Sequence, residues 1–201
     1  TLYLVHYGSL YMANKRKYYL YQFFFIIILS LMITFKCSAN DQKKELNDLF
    51  KILKTNNNTS SNEIEQKIWK IWSTHPGDEK LTKMLSEGSN LVNKKMLNEA
   101  IIVFSKVIDL DPTWAEAWNK RATVLYMAGE FQKSQDDIDK VLELEERHFG
   151  ALAGQGLVNI QLKNYEKAIM SYQKAQLIYP SMKSPSIMIK QINELIKRQS
   201  I

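Results

Sequence analysis

Residues 149–182 read FGALAGQGLVNIQLKNYEKAIMSYQKAQLIYPSM, in register with residues 115–148 (AEAWNKRATVLYMAGEFQKSQDDIDKVLELEERH) and 81–114 (LTKMLSEGSNLVNKKMLNEAIIVFSKVIDLDPTW). Gly88, Ala122 and Gly156 share one place in the 34-residue unit. So do Ala100, Ser134 and Ala168, then Phe104, Ile138 and Tyr172, then Pro112, Glu146 and Pro180. The apolar spacing within each unit is helical throughout and describes two amphipathic helices that cannot bury their faces within a single unit. The small residues mark where the two helix backbones approach. Met84, Trp118 and Leu152 lie near the start of the first helix, Leu97, Phe131 and Tyr165 at the turn, and Val107, Val141 and Ala175 late in the second. Stacking of units is therefore required, and an all-α solenoid of three helix-turn-helix repeats follows.

Gly88, Ala100, Phe104 and Pro112 in the first unit make this chain resemble the tetratricopeptide repeat (TPR) family. Trp118, Ala122, Gly129 and Phe131 in the second, and Gly156, Tyr165, Ala168, Tyr172, Ala175 and Pro180 in the third, carry the same likeness. The resemblance covers about half the chain. It departs where the family favours Leu, since Glu87, Arg121 and Gln155 stand there, and again at Asn159, where a large apolar side chain is usual. The resemblance implies that the first helices line a concave groove that holds a partner polypeptide. The places that would face it are Leu85, Ser89, Val92 and Asn93, then Asn119, Thr123, Tyr126 and Met127, then Ala153, Leu157, Ile160 and Gln161. Members that clamp the acidic C-termini of heat-shock chaperones use Lys, Asn, Asn, Lys and Arg at set groove positions. Here those positions hold Leu85, Ser89, Lys120, Gly150 and Gly154, so that clamp is absent. The groove suits an amphipathic helix or an extended apolar segment instead, with Asn93, Asn119 and Gln161 pairing to its backbone. The flanking helices could also cover Leu85, Val92 and Ile160.

The 201 residues, 45% of them hydrophobic, are enough for one packed domain plus accessory segments. Of the formal net charge of +6, Lys15, Arg16, Lys17 and Lys36 supply four, which leaves the repeats nearly balanced. Nucleic acid recognition, which needs a clustered basic face, is not expected.

Residues 1–11 precede Met12 and are expected to be an upstream or non-native segment. Met12 opens a targeting pattern over 12–39: Lys15-Arg16-Lys17, an apolar stretch over 18–35, then Cys37-Ser38-Ala39 with small residues placed for a cut after Ala39. Two outcomes stay open, a cleaved signal peptide and a signal anchor that keeps residues 18–35 as a membrane tether. Both carry the repeats out of the cytoplasm, to a periplasmic or secreted location or to the inner-membrane surface. Thr34, Phe35 and Lys36 ahead of Cys37 are not the small residues that lipid attachment needs, and the single cysteine allows no intramolecular disulfide.

Residues 40–61 comprise a short helix, with Leu46, Leu49, Phe50 and Leu53 at helical spacing, and an Asn-rich linker. The triplets Asn57-Asn58-Thr59 and Asn58-Thr59-Ser60 within it are expected to arise from the Asn run rather than to mark glycosylation. Residues 62–80 form a pre-repeat helix with Asn62 as N-cap and Ile64, Ile68, Trp69, Ile71 and Trp72 as its apolar stripe, expected to pack on the open end of the first repeat. Ser184-Pro185 starts a capping helix over 184–199 at the other end.

For chemistry the inventory is thin. His6, His75 and His148 are the only histidines; no zinc, phosphate-loop or nucleophile-elbow motif is present, and no cofactor, metal or catalytic set is expected. His148 is expected to serve a turn or packing role, and Asp136, Asp137 and Asp139 to form a solvated helix face. Two functions stay open. One is a non-enzymatic extracytoplasmic scaffold or adaptor, and the other is a membrane-anchored structural or assembly subunit of an envelope complex.

Overall fold

The computed structural model describes residues 21–23, 40–55 and 60–199. The chain divides into two compact units, residues 1–43 and 44–201. Of the first, residues 21–23 and 40–43 are described and are helical. The expected targeting pattern and the upstream segment otherwise lie outside the described residues. Among the described residues, no helix is long and apolar enough to cross a membrane.

The described part of the second unit is built of helices joined by short turns. After a helix over 40–55 (α1), the elements are α2 (Ser60–Trp72), α3 (Glu79–Asn93), α4 (Leu97–Leu110), α5 (Ala115–Met127), α6 (Phe131–Leu144), α7 (Phe149–Gln161), α8 (Tyr165–Ile178) and α9 (Lys183–Gln199). The helices α4, α6 and α8 begin and end 34 residues apart, as the sequence period requires. Each first helix of a unit ends in the same way. The residue at the turn takes a left-handed backbone, Lys95 at φ 61, Gly129 at φ 79 and Lys163 at φ 60. The next amide then reaches back five residues, Met96 to Leu91, Glu130 to Leu125 and Asn164 to Asn159, at 2.8–3.0 Å.

Inside each hairpin a small residue faces a large one. A Cβ on Gly88 would lie 2.5 Å from the Phe104 ring, and one on Gly156 would lie 2.5 Å from the Tyr172 ring. The second unit makes the compensating exchange, Ala122 with Ile138, which share one cluster. Ser134 at the small-residue place of α6 donates its hydroxyl proton to the Ala122 carbonyl at 2.8 Å, so its polarity is absorbed. Phe104, Val107, Val141 and Ala175 are completely buried. Each large side chain so buried contributes about 2 kcal/mol relative to exposure. Burial, with Tyr126 nearby, pushes the Tyr172 phenol up to about 12.

Three of the departures from the family pattern, Arg121, Gln155 and Asn159, have side-chain partners, while Glu87 is exposed. Arg121 makes a two-pronged pair with Asp137, both contacts at 2.8 Å, and donates to Ser105 Oγ at 3.0 Å. Its counterpart Gln155 donates to Asp139 at 3.2 Å and accepts from Ser171 at 2.9 Å. Asn159 donates to Gln135 at 3.1 Å. The aspartates were expected on a solvated face; Asp137 is instead buried, because the guanidinium of Arg121 needs a carboxylate there.

The pre-repeat helix also differs from expectation. It begins at Ser60, so Asn62 lies within the first turn and is not the cap. Its stripe packs not on the open end of the first repeat but, together with α1, on the third. Leu46, Leu49, Phe50, Leu53, Ile68 and Trp72 form one cluster with Phe149 and Tyr179. The Trp72 indole stacks on His148 at 3.9 Å and 8°, and Trp72 carbonyl oxygen accepts from Trp114 Nε1 at 2.8 Å. The physical reason is aromatic surface: His148, Phe149 and Tyr179 at the repeat junction offer rings to the two indoles. α3 begins at Glu79, where Asp78 accepts from the amides of Lys80 and Leu81 at 2.7 and 3.2 Å. At the far end Ile192 of α9 packs on Ala168 and Tyr172, as a capping helix should.

Candidate partner-binding groove

The groove is built on α3, α5 and α7, whose side chains at the inward positions were expected to face it. The structure brings Asn119, Thr123, Tyr126 and Leu157 together around one cavity of about 70 Å³ between α5 and α7. Its remaining wall is apolar, from Ala122, Ile138, Gly150, Ala151, Gly154 and Val158, with Ser134. Gln161 reaches across the rim to the Tyr126 hydroxyl at 3.4 Å. Leu157 in its wall is exposed, and so is Met127, the residue after Tyr126 on α5.

Other expected groove residues are drawn away. Leu85 belongs to the first repeat's core, 2% exposed beside Phe104 and Ala100, because its position points between α3 and α4. Val92 packs half-buried on the same core. Asn119 is also buried, and its amide donates to Glu116 at 3.0 Å, so it is committed within the chain rather than free for a partner's backbone. Ile160 lies half-buried in the cluster that α9 covers. Asn93 and Thr123 remain exposed.

One end of the groove is filled from within. The Trp69 ring lies against Gly150, where an added Cβ would sit 2.4 Å from Trp69 Cη2, and the Lys120 ammonium stands 5.9 Å from the Trp69 ring centre. Beneath them is a buried polar set. His148 Nδ1 accepts from the Ala151 amide at 3.0 Å and so caps α7, which leaves its Nε2–H to donate to Glu116 at 3.1 Å. Lys120 pairs with the same carboxylate at 3.2 Å. Burial alone would raise the Glu116 carboxyl; the His148 hydrogen bond and the Lys120 charge outweigh it and hold the group below the usual glutamate range. His75 makes a parallel arrangement at the first junction. Its Nδ1 accepts from the Gly77 and Asp78 amides, and Nε2 bonds Asp111 at 2.7 Å. Both histidines thus hold turns, and among the described residues no group of His, Cys, Asp and Glu is placed to bind a metal.

Trp69 was missed as a groove residue from sequence, and Gly150 and Gly154, placed in the groove only as clamp positions without a cation, were not read as seats for other side chains. The signal available was the pair of glycines one turn apart on α7, Gly150 and Gly154, which leaves room for side chains from elsewhere.

A family profile described as tetratricopeptide repeat matches residues 150–182. A TPR repeat-containing protein of Rhizobium etli is 27% identical over 162 residues, which cover 80% of this chain and 78% of the relative. Human sperm-associated antigen 1 is 26% identical over 120 residues, and the match spans only 13% of its length. Among solved structures, the first TPR of Spaghetti (RPAP3) bound to the HSP90 peptide SRMEEVD superposes with TM-score 0.57 at 18% identity, covering 59% of this chain and 94% of that one. The crystal structure of MamA gives TM-score 0.55 at 22% identity over 68% of this chain and 84% of that one. The fold is that of a tetratricopeptide-repeat solenoid.

Proposed function

We propose that this chain is a non-enzymatic scaffold that holds a partner polypeptide in the groove between α5 and α7, outside the cytoplasm. The observation that carries the proposal is the open cavity bordered by Tyr126 and the exposed Leu157, with Met127, next in the chain to Tyr126, exposed as well. Exposed apolar surface gathered around a concavity is characteristic of interaction sites. The available groove residues Ser89, Asn93, Thr123, Tyr126, Met127, Leu157 and Gln161 are all uncharged. Lys120, the one cation at a clamp position, is already paired with Glu116. The partner segment is therefore apolar and uncharged where it is held, unlike the acidic SRMEEVD peptide bound by the structural neighbour. The extracytoplasmic address rests on Lys15-Arg16-Lys17, the apolar stretch 18–35 and Cys37-Ser38-Ala39.

A photo-crosslinking residue in place of Met127, in the full chain expressed in its source cells, tests the groove. Adducts should form and should fall at least tenfold in a Tyr126→Glu/Leu157→Glu variant of unchanged helicity; equal adduct yield in that variant overturns the proposal. The length of the apolar stretch 18–35 favours a second reading, a membrane-anchored assembly subunit. Carbonate-resistant membrane association with an intact N-terminus supports that reading, and a mature N-terminus at Asn40 removes it.

A further inference from the structure

Gly150 and Gly154 stand one helical turn apart on the groove side of α7, and their surroundings differ. At Gly150 the space of a side chain is taken by the Trp69 indole, 2.4 Å from the ideal Cβ. At Gly154 a Cβ would meet only Ile138 Cδ1, at 3.7 Å. The cavity lined by both glycines continues past Gly154 between Tyr126 and Leu157. The chain thus supplies one large aromatic ring to the first small-residue seat and leaves the next one open.

We infer that the Gly154 seat takes an aromatic side chain, Trp or Phe, from the partner segment, which docks beside Trp69 in the same manner. The inference rests on the groove reading above and names its anchor. The size admits part of a ring rather than enclosing it: the cavity holds about 70 Å³, roughly half of the roughly 150 Å³ that encloses a benzene ring in an apolar core, so the ring rests on Gly154 with its outer side in the groove. The chemistry agrees as well. Ile138, Leu157 and Val158 offer apolar walls, and the Tyr126 ring, already 5.5 Å from Phe131, gives an incoming ring an aromatic neighbour. The hydroxyl of Thr123 and the amide of Gln161 stand near the mouth, where an indole N–H or a backbone group of the partner finds an acceptor.

The test uses the full-length protein and N-acetyl-tryptophanamide, with N-acetyl-alaninamide as the small-side-chain control. The amide resonances of Gly154 and Leu157 should shift with the tryptophan probe and not with the alanine probe. Gly154→Leu, which fills the seat, should weaken the response at least fivefold, and Gly154→Ala, which adds one methyl in ordinary contact, about twofold. Should Gly154→Leu fail to fold, the Gly154→Ala result decides alone. No shift at these two amides, or an undiminished shift in the glycine variants, overturns the inference. If the Met127 crosslinks persist at full yield in Gly154→Leu, the aromatic anchor falls while the groove stands. If they are absent even from the wild-type chain, the groove reading itself falls.

Discussion

The helices α5 and α7 each present one side to the groove and another to the back of the stack, and the two sides are finished differently. On the back, three departures from apolar repeat chemistry are matched: Arg121 by Asp137 and Ser105, Gln155 by Asp139 and Ser171, Asn159 by Gln135. In the groove, side chains shrink to Gly150 and Gly154, and the chain fills only the first of these two seats itself. Unusual residues on the back thus serve cohesion, while small ones in front leave room for another molecule.

The sharpest way to break this contrast is a pair of identical substitutions two residues apart on α7. Gly156→Ala, on the hairpin side, drives a methyl to 2.5 Å from the Tyr172 ring and should lower unfolding free energy by about 3 kcal/mol. The companion change Tyr172→Ile, which copies the Ala122–Ile138 arrangement, should restore most of it. Asp137→Ala comes next, at about 2 kcal/mol in urea unfolding, because a half-buried guanidinium loses its carboxylate. Arg121→Leu/Asp137→Leu together should lie within about 1 kcal/mol of the parent, and a double variant as weak as the single would show that the pair does more than satisfy itself.

A third expectation concerns acid. Glu116 ionises below its usual value of 4.5 when folded, so its contribution is complete above that value and is lost as pH falls through the depressed one. Between about pH 6 and about pH 3, wild-type stability should fall more steeply than that of Glu116→Gln; equal slopes would remove the carboxylate from the seat of the pre-repeat helix. Asp111, also held low although burial opposes it, by Thr113 and His75, adds to the general acid sensitivity and is common to both proteins. On the groove side, Gly154→Ala should stabilise by about 0.5–1 kcal/mol, since a helical glycine gains a methyl that meets only ordinary contact with Ile138. A loss there would mean the seat is already closed. The smallest effect is expected at the turns. Lys163→Gly should gain about 0.5 kcal/mol in thermal unfolding, the left-handed penalty of about 1–2 kcal/mol less the extra freedom glycine gives the unfolded chain.

The hairpins were legible because a fixed period ties each small residue to a large one sixteen places on, and packing leaves few alternatives at such pairs. Helix ends were nearly legible, with Asp78 marking a start two residues earlier than Leu81. What could not be read was the destination of α1 and α2. Trp69 and Trp72 announce an apolar stripe, but a stripe carries no label for the surface it will meet. The surface at the first repeat's end and that at the third repeat's junction are both apolar in sequence. Leu85 and Asn119 were assigned to the groove by register alone, and register does not tell an inward position at the rim from one turned into the core.

Tethers such as Arg147 to Asn47 at 2.7 Å and Tyr179 to Glu65 at 3.0 Å join residues 100 and 114 apart in the chain. An array whose members touch only adjacent members can assemble progressively from its leading end. This one cannot: the helices synthesised before the repeats must wait until residues near Tyr179 have emerged. At ribosomal speeds of about 5–20 residues per second, that wait lasts roughly 5–20 s, during which two tryptophans and a phenylalanine stay unsheltered.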